Sequence, residues 1–519
     1  MRRLILPLLI LAVRGFAADA AGVVSHIKVV SDKVEDVSSV AAWKKSFIKD
    51  GMSDEQKALA VWESVVKFRH QDIPPVEYLT GDGGDVHDPI KTFNVYGYNM
   101  CCCESSNILA LAQEAGLEGR GWGIHSHSVP EVKYGGAWHL LDASLVCFFR
   151  KPDRSIAGVE DIIGSIGAWY GEHPEYRNNN DKLYKFMGGG NWRKGPAVLA
   201  NTTAYDDNGW LPAATHGWYS TMQEYDGSGG GKDNKAFLYN YGYSMGYEVN
   251  IQLRPGERLT RNWSNKGLHI NQDGAGANPG SLTEKTGQGQ LLYAAKLGDL
   301  SNQRIGNGTA EYRVPVGSTA LKNSALTYTN WAVTDGGKNQ PALQVEKGTE
   351  PGVLELDLPS SYVYLDGTAK LNAVVGAGGE VVVSFSDNHG LDWKEVAKLT
   401  ASGEQALELK ALVYRRYDYR LKIVAKGSGS GVQSLSFAHT IQHSQRALPA
   451  LAQGDNTIRF SAGAAEGTVT LEAKGDLSGK GKQLTYADFH PKTEGLKPDT
   501  LLLAGGQGSV HSRSKRRAR

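Results

Sequence analysis

Cysteine is scarce in this 519-residue chain, with four residues in all. So few thiols cannot form the dense disulfide framework that staples small exported domains, so the fold has to rest on burial. An excess of charge of one sign is also missing. Lysine and arginine total 56 against 55 aspartates and glutamates, which leaves no strong field for a polyanion and sets nucleic-acid partners aside. No apolar run reaches the roughly 20 residues that span a bilayer. The run from Leu4 to Val13 is about ten residues long, follows Arg2 and Arg3, and precedes the small residues Ala18 and Ala20. That layout is a cleavable signal peptide over residues 1–20. The mature chain is therefore expected to be secreted or periplasmic, with no transmembrane segment.

What is abundant points the other way. Glycine numbers 63, tyrosine 23 and tryptophan 11, a composition that leans toward strands and loops. The length exceeds what one hydrophobic core supports and implies several domains.

Local patterns place the first elements. In "GMSDEQKALAVWESVVKFRHQ", Ser53 precedes a stripe at Leu59, Trp62, Val66 and Arg69, and Gln56 follows it by three, a capping box on an amphipathic helix. The glycine-rich "TGDGGDVHDPIKTF" reads as a loop. A second helix opens at the cysteines, carries Ile108, Leu109, Leu111, Ala112 and Ala115, and closes at Gly116 as a left-handed cap would. Strand-like segments follow at "RGWGIHSHSVPEVKY" and "GAWHLLDASLVCFF", joined through Gly135 and Gly136.

Three of the four cysteines, Cys101 to Cys103, stand at the mouth of the second helix. A thiol there meets the positive end of the helix dipole and unsatisfied N–H groups, both of which favour the thiolate. A histidine on the next strand, His127, can take its proton, and Asp142 on the strand after can orient the imidazole.

At these residues the chain resembles the transglutaminase-like family, whose core is a papain-type fold with a Cys-His-Asp triad. The resemblance covers about residues 50–150 and rests on order: "SDEQKALAVW", the cysteine at a helix start, "GLEGR" (Gly116 to Arg120), "HSVPEV" (His127 to Val132) and "WHLLD" (Trp138 to Asp142). In the family the nucleophile lies fifteen positions before the helix-ending glycine, which from Gly116 is Cys101. Cys103 would be turned from that face by roughly 160°. The resemblance implies catalytic Cys101, His127 and Asp142, no cofactor and no metal. Two departures bear on the oxyanion hole and substrate pocket: "Asn-Met-Cys" stands for Gly-x-Cys, and "Asp-Ala-Ser" for Asp-Pro-Thr.

Bland readings cover the remaining candidates. Cys102 and Cys103 read as small buried residues, with a bridge from Cys147 to one of the three allowed by an oxidising destination. His125, His127, His139, Asp142 and the nearby cysteines contain no further spaced pair of metal ligands, so His125 and His139 read as polar rim or core. Asp82, Asp85 and Asp88 fit no calcium-loop spacing and read as a solvated turn.

The expected fold class is α+β: a transglutaminase-like domain over 21–250 (core about 50–150, aromatic-rich extension 150–250) followed by all-β modules. These are a β-rich linking module over 251–335, a β-sandwich over 336–485, and a basic disordered tail over 486–519. "YEVNIQLRPGERLTRNW" reads as a strand pair around Pro255 and Gly256, and "SDNHGLDW" (Ser386 to Trp393) resembles a single Asp-box hairpin with Asn388 in the aspartate place. Asn201, Asn262 and Asn307 sit in glycosylation sequons. Functionally, the chain reads as a thiol-dependent acyl-transfer enzyme acting on a protein, peptide or peptidoglycan-like amide. The alternatives are an inactive scaffold that binds an extracellular glycan or protein through its aromatic loops and β modules, and a metal-binding protein using the cysteines and histidines.

Overall fold

The computed structural model describes residues 23–71, 74–78, 85–124, 127–177, 179–186, 194–200, 237–239, 246–261, 305–337, 339–449 and 454–462, and the short stretches 293–294, 298–299, 468–473, 499–504 and 507–514. The expected signal peptide, the aromatic-rich stretch 201–236, His125, Asp82, Asn201, Asn262 and the last five residues lie outside them.

After a first strand, β1 (Val24–Ser31), the chain forms α1 (Val40–Phe47) and α2 (Asp54–Phe68). The Ser53 hydroxyl accepts from the Gln56 N–H and the Gln56 side chain accepts from the Ser53 N–H, so the capping box forms as read. α3 (Cys101–Glu114) ends at Gly116, whose φ of +82° is the left-handed cap. Then come β2 (Glu118–Ile124), β3 (His127–Tyr134), β4 (Ala137–Leu140) and α4 (Val159–Glu172). Gly135 and Gly136, both at positive φ, turn β3 into β4. The first strand-like segment is itself a hairpin: Ile124 pairs with His127, so "RGWGIHSHSVPEVKY" folds back on itself and is not one strand.

These elements form a four-stranded sheet in the order β4, β3, β2, β5 (Phe237–Tyr239), with α3 packed on β3 and β2. The motif residues bind one another across it. The Arg120 guanidinium donates to Glu131 at 2.6 Å and lies over the Trp138 ring, while the Trp62 indole N–H donates to the Asp142 carbonyl. Val61, Val65, Phe68, Ile108, Leu111, Val129, Val132, Leu140 and Ile162 share one apolar core.

The rest is sheet. After β6 (Ile251–Leu253) and β7 (Glu257–Arg261) come β8 (Ile305–Arg313), β9 (Gly352–Asp357), β10 (Val363–Val374), β11 (Glu380–Ser386), β12 (Lys394–Leu399), β13 (Gly403–Glu408), β14 (Arg420–Lys426), β15 (Gly431–Ser444) and β16 (Gly454–Ser461). A five-stranded sheet (Thr327–Thr329, β9, β14, β11, β12) and a seven-stranded one centred on β15 share a second core, with Leu354, Val383 and Ile423 from the first and Leu371, Leu435 and Ile441 from the second. The burial of β9 alternates residue by residue, as a two-layer β arrangement requires. The chain is thus α+β with sandwich-like β packing.

Three expectations, two of boundaries and one of strand pairing, are corrected. β7 and β8 belong to the seven-stranded sheet, β8 pairing with β15 from Ile305–Ser444 to Arg313–Ser436, so no separate linking module ends at 335. β6 and β7 do not pair with each other: β6 joins β1 and β7 joins β8. The tail is not wholly disordered, since Gln507–Ser514 pairs with β16. Each error has one cause: sheet membership is fixed by partners distant in sequence, which local alternation does not name. The Asp-box-like stretch turns β11 into β12, with the Asn388 side-chain oxygen accepting from the Asp392 N–H. Asn307 is fully buried on β8, which removes it as a glycan acceptor.

The second core also reaches forward in the chain. Val86, Val95, Tyr96 and Tyr98, from the segment leading into Cys101, pack in it. Glu77 accepts from Tyr417 at 2.6 Å, Tyr96 at 2.8 Å and Lys91 at 2.8 Å, joining the segment before Cys101 to the β core.

Candidate active site

Cys101 is the first residue of α3, and Met100 at the N-cap offers no side-chain bond. The N–H groups of that first turn have no partners within the helix. β3 sets His127 beside it. The imidazole Nε2 lies 2.9 Å from Asp142 Oδ2, which leaves the other ring nitrogen for Cys101, whose thiol His127 draws toward the thiolate. The side chains of His127 and Asp142 are almost wholly buried, 1% and 0% exposed, while Cys101 is half-buried. Only the thiol end of the row meets the surface.

Asp142 is held on its remaining oxygen. Oδ1 accepts the N–H groups of Ser144 at 2.7 Å and Leu145 at 3.0 Å, and the backbones of Asp142 and Cys147 bond reciprocally. The carboxylate therefore cannot rotate away from the imidazole.

The protonation pattern follows. Burial lowers the affinity of His127 for a proton, but the charge and hydrogen bond of Asp142, then Cys101, raise its pKa to about 10. Burial pushes the Cys101 thiol up, but His127 and the Ser128 N–H outweigh it and hold the pKa below the usual thiol value. A thiolate–imidazolium pair is the favoured state.

Sequence reading missed the support beneath this row. Arg69 is fully buried and donates to the carbonyls of Ala143 at 3.1 Å and Asn99 at 3.1 Å, to Ser144 Oγ at 3.3 Å and to the Asn99 and Gln71 side chains. Glu104, one helical turn after Cys101, accepts from the Ala143 N–H at 2.9 Å and Ser144 Oγ at 3.2 Å. Burial and the Asp142 charge push its pKa well above the ordinary carboxylate range, against the pull of Arg69. Two signals were present: a charged residue on an apolar stripe at 69, and an acid three after the cysteine on the helix face that turns inward.

The other candidates scatter. None of the four cysteines is in a disulfide, so the bridge to Cys147 is not made, and Cys147 is buried. His139 stacks on Tyr134 and bonds the Ile156 and Tyr134 carbonyls, a core role. Asp88 caps the short helix Pro89–Lys91. Among the described residues no helix is long and apolar enough to cross a membrane.

No protein-family profile matches the chain, and no curated protein does. Among solved structures, TmCBM61 in complex with β-1,4-galactotriose is similar at 12% identity over 24% of this chain and 95% of that one, with a TM-score of 0.15. A Ruminococcus gnavus β-glucuronidase structure is similar at 10% identity over 36% of this chain, with a TM-score of 0.15, and the chain spans about a third of its length (33%). At these scores neither likeness bears on fold or function.

Proposed function

We propose that the chain is an exported, thiol-dependent acyl-transfer enzyme whose N-terminal half is a transglutaminase-like, papain-type core. The observation that carries the reading is the burial of His127 between Cys101 and Asp142 at the mouth of α3. The arginine-flanked apolar run at residues 4–13 motivates the export.

Cys101 Sγ attacks a carboxamide or peptide carbonyl of a protein, peptide or peptidoglycan-like substrate, and the oxygen gathers negative charge at the N–H groups of the helix start. Collapse breaks the C–N bond, the leaving amine takes the proton held by His127, and a thioester remains. Water or a second amine, deprotonated by His127, then attacks the thioester and releases the thiolate. Asp142 stays ionised and keeps the imidazole in place.

The test is alkylation of the unreduced, full-length protein by iodoacetamide at mildly acidic pH, located by tandem mass spectrometry. Fast labelling at Cys101 that falls to the rate of an ordinary thiol in a His127→Ala variant supports the reading. Labelling at Cys101 that is slow, or indifferent to His127, overturns it in favour of an inactive scaffold.

A further inference from the structure

A second cluster stands one residue along the same helix. Cys102 and Cys103 have their sulfurs 3.7 Å apart, and with a ring nitrogen of His87 all three ligand atoms fall within 4.8 Å of one another. The geometry points to a thiolate-type zinc site formed by His87, Cys102 and Cys103, with Asp85 at its rim to take the fourth corner.

The distances suit that ion. Two thiolates bound at about 2.3 Å on a tetrahedral centre are about 3.8 Å apart, close to the separation already set between Cys102 and Cys103. A disulfide would need the sulfurs at about 2.05 Å. The donor set of two sulfurs and an imidazole selects zinc over magnesium or calcium, which take oxygen.

The histidine is oriented as a ligand. Its Nδ1 is engaged at 2.9 Å by the Asp85 carbonyl, which fixes the tautomer and leaves Nε2 for the thiols. Its backbone is pinned as well, because the Asn107 side-chain amide donates to the His87 carbonyl at 2.7 Å, and Asn107 is in turn bonded to Asn99 at 2.9 Å. Asp85 Oδ2 lies 3.8 Å from Cys102 Sγ. Two thiols and an imidazole thus converge on one point, with a carboxylate beside Cys102 to add negative charge for a divalent cation to offset.

Cys101 takes no part. It turns toward His127, while its neighbours turn toward the loop at 85–88. The ion would clamp that loop to the first turn of α3 and so fix where the Cys101 backbone sits. This is a positioning role, separate from the triad.

The test is titration of the reduced, metal-free, full-length protein with Co2+ alone, followed by displacement with Zn2+. One Co2+ per chain is expected, with a sulfur-to-cobalt band in the near ultraviolet and the visible bands of tetrahedral cobalt. The near-ultraviolet band should weaken by about half in Cys102→Ser and in Cys103→Ser, as expected when one of two thiolates is lost. The affinity should fall at least tenfold in His87→Gln, in line with loss of one zinc ligand. All signals should persist in Cys101→Ser. Far-ultraviolet dichroism of the half-buried Cys102→Ser and His87→Gln variants separates loss of a ligand from loss of the fold. Absence of a sulfur-to-cobalt band, or a band that survives the Cys102/Cys103 double replacement or vanishes in Cys101→Ser, overturns the assignment. Reactivity of Cys101 toward iodoacetamide is read independently, so either result can fail alone.

Discussion

At the scale of single residues, the molecule spends buried charge around one half-buried thiol. Asp142 fixes His127, His127 polarises Cys101, and Arg69 ties together the backbone on which Asp142 and Ser144 sit. The pH dependence follows from the two shifts. Turnover should rise as pH climbs through the lowered pKa of Cys101, and fall as His127 loses its proton near about 10. In Asp142→Asn the alkaline limb should move toward neutral pH, because the Asp142 charge and hydrogen bond are what raise His127 against burial. The pH profile of amide turnover would show it, since only a leaving amine calls on the His127 proton, and an alkaline limb unmoved in Asp142→Asn would count against the pairing. The three residues of the row were legible because each stands at a fixed place in a local pattern. Arg69 and Glu104 were not, because a buried charge is recognised by its partners, and apart from Gln71 those come from residues 30 to 75 positions away along the chain.

At the scale of elements, turn and cap chemistry was the most readable part. The Ser53 capping box, the Gly116 cap and the Gly135–Gly136 turn fall where their residue types require. Each is a local statement in which sequence neighbours are also spatial neighbours. The hairpin within "RGWGIHSHSVPEVKY" escaped because no glycine or proline marks its reversal. The same substitution should have opposite signs at two glycines. Gly116→Ala places a side chain at φ +82° with no atom near to clash, so it should cost roughly 1–2 kcal/mol through backbone strain alone. Gly164→Ala, on the exposed side of α4 and equally open, should stabilise by about 0.5–1 kcal/mol by removing a helix-interior glycine. Urea unfolding of the two variants decides it; equal signs would show that the helix-end and helix-interior assignments are wrong.

At the scale of the whole molecule, two cores are fused through the segment that leads into the thiol. Local alternation announced many strands but not their partners, and for that reason the boundaries at 250, 335 and 486 fell inside or across sheets. The β core carries its own acid sensitivity. His439 and His443, 4% and 0% exposed, are kept neutral by burial, with pKa values lowered to about 4 and about 3. Their contribution to stability is complete above the unfolded value of about 6.5 and is lost as pH falls from there toward those folded values. By about pH 5 each histidine should have removed about 2 kcal/mol. Thermal melts at about pH 7 and about pH 5 should differ accordingly, and His443→Gln should shrink the difference. A melt that ignores this change of pH would show that the two imidazoles are not held neutral by the fold. The pairing of β1 with β16 has a different consequence. It joins Asp32 to Thr457, 425 positions apart. A ribosome delivers β1 early and β16 late, so even after β6 has paired with one edge of β1 the other edge waits unmet until β16 arrives. A nascent chain stalled before β16 is therefore the form that needs a chaperone, and the finished one seals itself.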